Sequence, residues 1–266
     1  MSSIPVIGVP ILNGFHWLHR LVLSVDFPVD EFFIINNGNP DLVKQIDTLV
    51  SLPHPHIKKF KVTHLPANIG VPSAWNLIIK SYLTSPYWVI PSHDIAFDPG
   101  FLEEMYLTAQ DELTSMSHGY PGDFGDGGYD VFLLTEKTVQ KYGLFDENFS
   151  PAYGEDLDYD IRFAADKIHN NIHIWKYLGL DHGYWHGDGR PGEYLQHGSQ
   201  TARTGNLEDK LKRSHYMNWD YLYQKWGQHW RETSPDSPYP MRIEGMPLSY
   251  TSFDLEFIRS KQLDRE

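Results

Sequence analysis

The sequence predicts an α/β fold with a mostly parallel central sheet flanked by helices and a helical, extended appendage at the C-terminus. Three observations carry this prediction. Short apolar runs of strand type alternate with helix-spaced apolar runs from Ile4 to Ile90, the pattern of parallel strands joined by crossovers. The strand-like runs end in polar or glycine-bearing turns, where ligands bind in open sheets of this kind. Beyond residue 206 the alternation stops, and an aromatic helix pattern gives way to a proline-rich stretch.

Taken in order, Ile4-Pro-Val-Ile-Gly-Val-Pro10 is a first strand, followed by a helix from Phe15 to about Val25 with Leu18, Leu21 and Val22 on one face. Glu31-Phe-Phe-Ile-Ile35 is a second strand ending in the turn-rich Asn36-Asn-Gly-Asn-Pro40. Asp41 is expected to cap a second helix that carries Leu42, Ile46, Leu49 and Val50 at helical spacing. A third strand over 57–63, a helix over about 73–83 and a buried fourth strand over 87–90 complete the regular half. The Gly- and Asp-rich segment 115–129 reads as a binding loop. A strand over 129–134 and a short helix over 135–142, closed by Gly143, lead to Gly143-Leu-Phe-Asp-Glu-Asn-Phe149 and a helix that opens with Glu155, Asp156, Asp158 and Asp160. A strand over 171–178, a Gly-rich loop over 181–190, an aromatic helix over 207–230, an extended strap beyond Ser234 and a short helix over 253–260 are expected after it.

A chain of 266 residues with 41% hydrophobic and 21% charged residues is long enough to bury a full core. Its formal net charge of −13 argues against a nucleic-acid or anionic-membrane surface. The absence of cysteine excludes disulfides and thiolate chemistry and fits a reducing compartment. With strand character from Ile4 and no apolar run approaching the roughly 18 residues of a membrane span, a cytoplasmic location is expected, without signal peptide or transmembrane segment.

Three constellations can carry chemistry. Carboxylates in a first helical turn are stabilised by free N–H groups and the helix dipole. That accounts for one or two acids at 155–160, whereas four point to a mount for a general base. Ser92-His93-Asp94 follows a buried strand; Asp94 there either caps a turn or holds a hard divalent cation. His182 and His186 lie four apart in a loop whose glycines argue against a helical zinc pair. One of them completing a mixed oxygen and nitrogen site for Mn²⁺ or Mg²⁺ competes with a plain surface role.

The order of these motifs resembles the family 2 type of GT-A glycosyltransferases over roughly residues 4–190. The carrying segments are Pro10-x-x-Asn13, Ile35-Asn-Asn-Gly-Asn39, Asn68-Ile-Gly-Val-Pro-Ser-Ala-Trp-Asn76, Ser92-His-Asp94 with Pro99-Gly-Phe-Leu102, and Gly143-Leu-Phe-Asp-Glu147 with Glu155-Asp156. Each is common alone, but their order and spacing are specific. Tyr223-Gln-Lys-Trp-Gly227 is similar to a closing segment of such enzymes.

The resemblance implies an inverting transferase that moves a sugar from a nucleotide-diphosphate donor, UDP-sugar first, to a glycan or other acceptor hydroxyl. A divalent metal, Mn²⁺ or Mg²⁺, would sit on the diphosphate. It implies a catalytic domain over 1–205, with a nucleotide-binding half over about 1–100 and an acceptor half over about 101–205, and a segment 206–266 packed on it. Asp156 would be the general base beside Glu155. Asp94 would bind the metal with His186 or His182. Pro10, Ile11, Leu12, Asn13, Asn36, Asn68, Gly70, Asn76, Ser92 and His93 would surround the nucleotide. Three positions depart from the pattern: Asn36 stands for an Asp, Ser92 for the first acid of Asp-x-Asp, and Trp75 for a basic residue. The reduced Ser-His-Asp motif keeps an alternative open, a catalytically silent module that binds nucleotide-sugars or glycans.

Overall fold

Alternate side chains of each central strand enter opposite faces of one sheet, and a separate apolar core fills each face. The computed structural model describes residues 2–110, 114–119, 129–170, 174–177, 184–186 and 207–226. Its first half runs β1 (Ile4–Ile11), α1 (Phe15–Leu23), β2 (Val29–Asn36), α2 (Val43–Val50), β3 (Ile57–His64), α3 (Val71–Ser81) and β4 (Tyr87–Pro91). The second half contributes β5 (Ile95–Phe97), α4 (Phe101–Ala109), β6 (Thr114–Gly119), β7 (Val131–Thr135), α5 (Glu136–Tyr142), α6 (Glu155–Asn170), β8 (Ile174–Tyr177), β9 (Tyr184–His186) and α7 (Leu207–Trp226).

Among the described residues, seven strands form one sheet in the order β3-β2-β1-β4-β7-β6-β8. The four strands of the first half are mutually parallel, and β7 alone runs against its neighbours. Phe32 and Ile34 of β2, Val89 of β4 and Leu133 of β7 join α1, α2 and α4 in one core. Phe33, Ile35, Trp88, Ile90, Phe132 and Leu134 join α3, α5 and Tyr159 in the other. Period-two alternation with both faces buried is what parallel sheets demand. Gly8 lies where β1 meets α3, and a Cβ there would run into Ile78.

Several expectations shift. Asn39, not Asp41, caps the turn before α2: its Oδ1 accepts the Asp41 N–H at 3.0 Å, with Pro40 at the first turn position. Helix α3 begins at Val71 rather than Ser73; Pro72 fits there because first-turn N–H groups need no helical partner. Strand β5 and helix α4 were not foreseen. The segment 115–129 is not loop throughout, since Thr114–Gly119 is a sheet strand between β7 and β8. Thr-Ser-Met-Ser-His-Gly has no apolar alternation to announce a strand, and backbone pairing to neighbours on both sides supplies what its side chains do not. Within the Gly-rich loop, Tyr184–His186 likewise pairs with β5 as a two-stranded ribbon. His182, the strap beyond Ser234 and the helix over 253–260 lie outside the described residues.

Helix α7 lies against α6 through a third apolar cluster of Phe149, Ile161, Leu222 and Trp226. Among the described residues, no helix is long and apolar enough to cross a membrane.

Candidate active site

A cavity of about 280 Å³ opens at the carboxyl ends of β1 and β4. Its first wall is made of strand ends: Pro10, Ile11 and Leu12 at the end of β1, and Ser92, His93 and Asp94 after β4, with Asn37 and Asn68 beside them. Asp94 and His93 expose little surface, 2% and 5%, so both side chains are held by protein on most sides. The Ser92 N–H donates to the Asp130 carbonyl at 2.6 Å, which ties this wall to the start of β7.

Not every residue singled out in the sequence reaches the cavity. Asn36 is buried beneath it, with both ends of its amide engaged. Oδ1 accepts the Asn39 N–H at 3.0 Å, while Nδ2 donates to the Asn39 carbonyl at 2.7 Å and to Nδ1 of His64 at 3.1 Å. His64 is fixed in turn by Asp47 at 3.0 Å. Asn36 therefore builds the turn, and its neighbour Asn37 lines the cavity. Asn76 is a strut: its amide exchanges hydrogen bonds with the Phe145 backbone and donates to Glu147, all at 2.9 Å. Gly70 has a left-handed φ of 87°, and a Cβ there would sit 2.7 Å from Ser150 Oγ. It lets α3 start against Pro151, whose carbonyl accepts the Val71 N–H at 2.7 Å. Neither Gly70 nor Asn13 is among the lining residues.

The second wall comes from Pro151, Ala152, Tyr153, Glu155 and Asp156, with Leu211 of α7. The four acids of α6 separate by role. Glu155 and Asp156 both line the cavity. Asp158 is fully buried between Arg162, Nζ of Lys225 at 2.7 Å and Nε1 of Trp226 at 2.7 Å. Asp160 accepts a hydrogen bond from the Tyr129 hydroxyl.

The Phe-Asp-Glu run at 145–147 is structural. Phe145 packs in the core, Asp146 binds Lys225 at 2.7 Å and Tyr221 at 2.9 Å, and Glu147 accepts from Ser73 and Asn76. Tyr129, Asp130, Tyr153 and Leu211 line the cavity and were not singled out from sequence. For Tyr153 a signal existed, its place directly before Gly154 and the acid pair. For Leu211 there was none.

Electrostatics distinguish the acids further. Burial pushes the Asp156 carboxyl above the usual carboxylate range and Asp130 adds to this, against hydrogen bonds from backbone amides, including Leu157 N–H at 2.8 Å. Desolvation thus outweighs the N–H groups and dipole of the helix start, which favour an ionised carboxylate. Asp160 is pushed well up, chiefly by burial. Burial alone would raise Asp158 too, but Arg162 and Lys225 overcome it and hold that carboxyl low. The Tyr153 phenol is raised by burial and by the carboxylates of Glu155, Asp94 and Asp156, so it is a neutral donor at physiological pH.

For a divalent cation, no group of three or more His, Asp or Glu able to hold one is found among the described residues. A cation shared with a diphosphate needs fewer protein donors, often one or two carboxylates, with phosphate oxygens and water completing the shell. Asp94 is a carboxylate of the cavity lining, and β9 pairs His186 with Ile95, the residue after Asp94.

No protein-family model matches the chain. Solved structures do. Residues 1–349 of S. aureus TarS superpose with a TM-score of 0.53 at 13% identity, covering 90% of this chain and 89% of that one. The same protein in complex with UDP-GlcNAc gives 0.53 at 14%, covering 94% and 78%. The fold is that of the GT-A glycosyltransferases. A third GT-A structure, GalNAc-T7 with UDP, GalNAc and Mn²⁺, gives 0.54 at 12%, covering 97% of this chain and 55% of that one. By sequence, a galactofuranosyl glycosyltransferase of Leishmania donovani is 24% identical, with 62% of this chain and 53% of that protein covered. The chain thus spans about half the length of that curated relative. On this GT-A framework, Asp94 after β4 and the Glu155-Asp156 pair at the start of α6 line one cavity.

Proposed function

We propose that this chain is an inverting glycosyltransferase that moves a sugar from a UDP-sugar to a hydroxyl of a glycan or other acceptor. One observation carries this: Asp94, Glu155 and Asp156 line one cavity at the strand ends of a GT-A sheet. TarS with UDP-GlcNAc and GalNAc-T7 with UDP and Mn²⁺ support the choice of UDP and of a divalent cation.

Inversion in one displacement needs a base on the face opposite the leaving diphosphate. Asp156 takes the acceptor proton as the acceptor oxygen bonds to the anomeric carbon and the bond to the diphosphate breaks. Its raised pKa strengthens it as a base, and the amides at the start of α6 keep it oriented. Glu155 is the second carboxylate of the pair, on the acceptor side. Asp94 and His186 would hold the cation, which when bound offsets charge on the departing diphosphate. Pro10 to Leu12, Asn37, Asn68, Ser92 and His93 form the nucleotide wall. A cytoplasmic setting fits a chain without cysteine.

Incubating the chain with UDP-sugars and Mn²⁺ should release UDP, and Asp94→Ala should remove the cation dependence of UDP binding in calorimetry. UDP-sugar bound but never turned over, with any acceptor, would favour the silent module. A chain that binds neither UDP nor UDP-sugar would overturn both.

A further inference from the structure

We infer that Tyr153 contacts the transferred sugar and sets which sugar is accepted, an assignment that rests on the glycosyltransferase reading above. Among the described residues, three with aromatic side chains of Trp or Tyr line the cavity, and two of them are core. Trp75 and Tyr129 expose 6% and 4% and stack on each other, with centroids 6.2 Å apart. Tyr153 alone of the three is open, at 37%. An open ring offers its apolar face to the C–H groups of a sugar and its hydroxyl to a sugar oxygen, the two-sided character that makes tyrosine useful in recognition.

The backbone is arranged to present this ring. Tyr153 has a φ of 77°, left-handed, a conformation that a bulky residue adopts only when its surroundings enforce it. Asn218 of α7 supplies the enforcement. Its buried Nδ2 donates to the carbonyls of Phe149, Ala152 and Tyr153, each at 2.8 Å. The ring packs edge-on against His215, centroids 5.6 Å apart and 81° between planes. His215 is itself held by Trp219, whose Nε1 donates to its Nε2 at 2.6 Å. A loop tyrosine with no role would take an ordinary φ and lie on the surface; this one is clamped from behind.

Position then selects the ligand part. Tyr153 lines the cavity together with Glu155, Asp156 and Asp94, whose carboxylates all act on its phenol. The space between a cation-holding acid and a base is where the transferred sugar must sit, whereas the nucleotide belongs to the strand-end wall.

The test uses the full chain with Mn²⁺, UDP alone, and a panel of UDP-galactose, UDP-N-acetylglucosamine and UDP-galactofuranose. Tyr153→Phe keeps the ring and removes the hydroxyl. Tyr153→Asn removes the ring but tolerates the left-handed backbone, and thermal midpoints report that both fold. UDP affinity should stay within about twofold of wild type. The ratio of kcat/KM between the preferred and the next UDP-sugar should change about tenfold in Tyr153→Asn and less in Tyr153→Phe, as expected when one sugar contact is lost. Unchanged ratios in both variants would overturn the assignment, as would equal weakening of UDP and every UDP-sugar, the mark of a loop that has merely collapsed. Wild-type chain that fails to bind UDP would instead overturn the glycosyltransferase reading itself, before any variant is made.

Discussion

The two walls of the cavity are built by different means. The strand-end wall is held by neighbours in sequence or in the sheet: Asn36 bonds to Asn39, Asn68 to Gly70, and β1, β2 and β4 lie side by side. The wall of Tyr153, Glu155 and Asp156 is held from far along the chain. Asn218 grips the 149–153 carbonyls, while Lys225 and Trp226 reach Asp158 and Asp146. A wall made by the sheet is as stable as the sheet. A wall made by side chains of α7 can be loosened while the sheet stays folded, so substitutions in the second wall should separate chemistry from nucleotide binding.

The largest effect should come from Asp156→Asn. Loss of a general base typically costs on the order of 10²–10⁴ in rate, and UDP affinity, which we assign to the strand-end residues, should be nearly unchanged. The wild-type rate should fall with acid as Asp156 protonates, on a limb above the ordinary carboxylate range because its pKa is raised. A pH–rate profile of the wild type would measure that limb; a variant keeping a tenth of the rate would move the base elsewhere.

Next in size is the ion pair behind the wall. Asp158→Ala leaves Arg162 and Lys225 buried without this partner, a change that costs about 3–5 kcal/mol. Denaturant unfolding measures it. Because the folded-state pKa of Asp158 is lowered, its contribution is complete above the unfolded value of about 4 and is lost as pH falls through the folded one. The wild type should therefore lose stability on acidification in that window, and the variant should lose less.

A smaller effect is expected for Asn218→Ala, which strips three carbonyls of a shared donor. An unsatisfied buried polar group costs about 1–3 kcal/mol. If the walls are independent, this variant raises KM for UDP-sugar while UDP alone binds as before. Equal losses for both would show that the walls are coupled.

The sequence by itself determined the parallel half of the sheet, the strand ends that carry Pro10 to Leu12 and Ser92 to Asp94, and a helix that opens with Glu155 and Asp156. Strand alternation, helical spacing and turn chemistry are local, so each is written in a few consecutive residues. The sorting of four neighbouring acids into a cavity pair, a buried anchor and a tyrosine partner was not. Nor were the use of Asp146 and Glu147 as struts, the replacement of Asn36 by Asn37 at the cavity, and the part played by α7. Tertiary structure alone decided these. A carboxylate's role follows from what lies opposite it and how much water it has lost, and for Asp158 and Asp146 what lies opposite is a lysine 67 and 79 residues further along the chain.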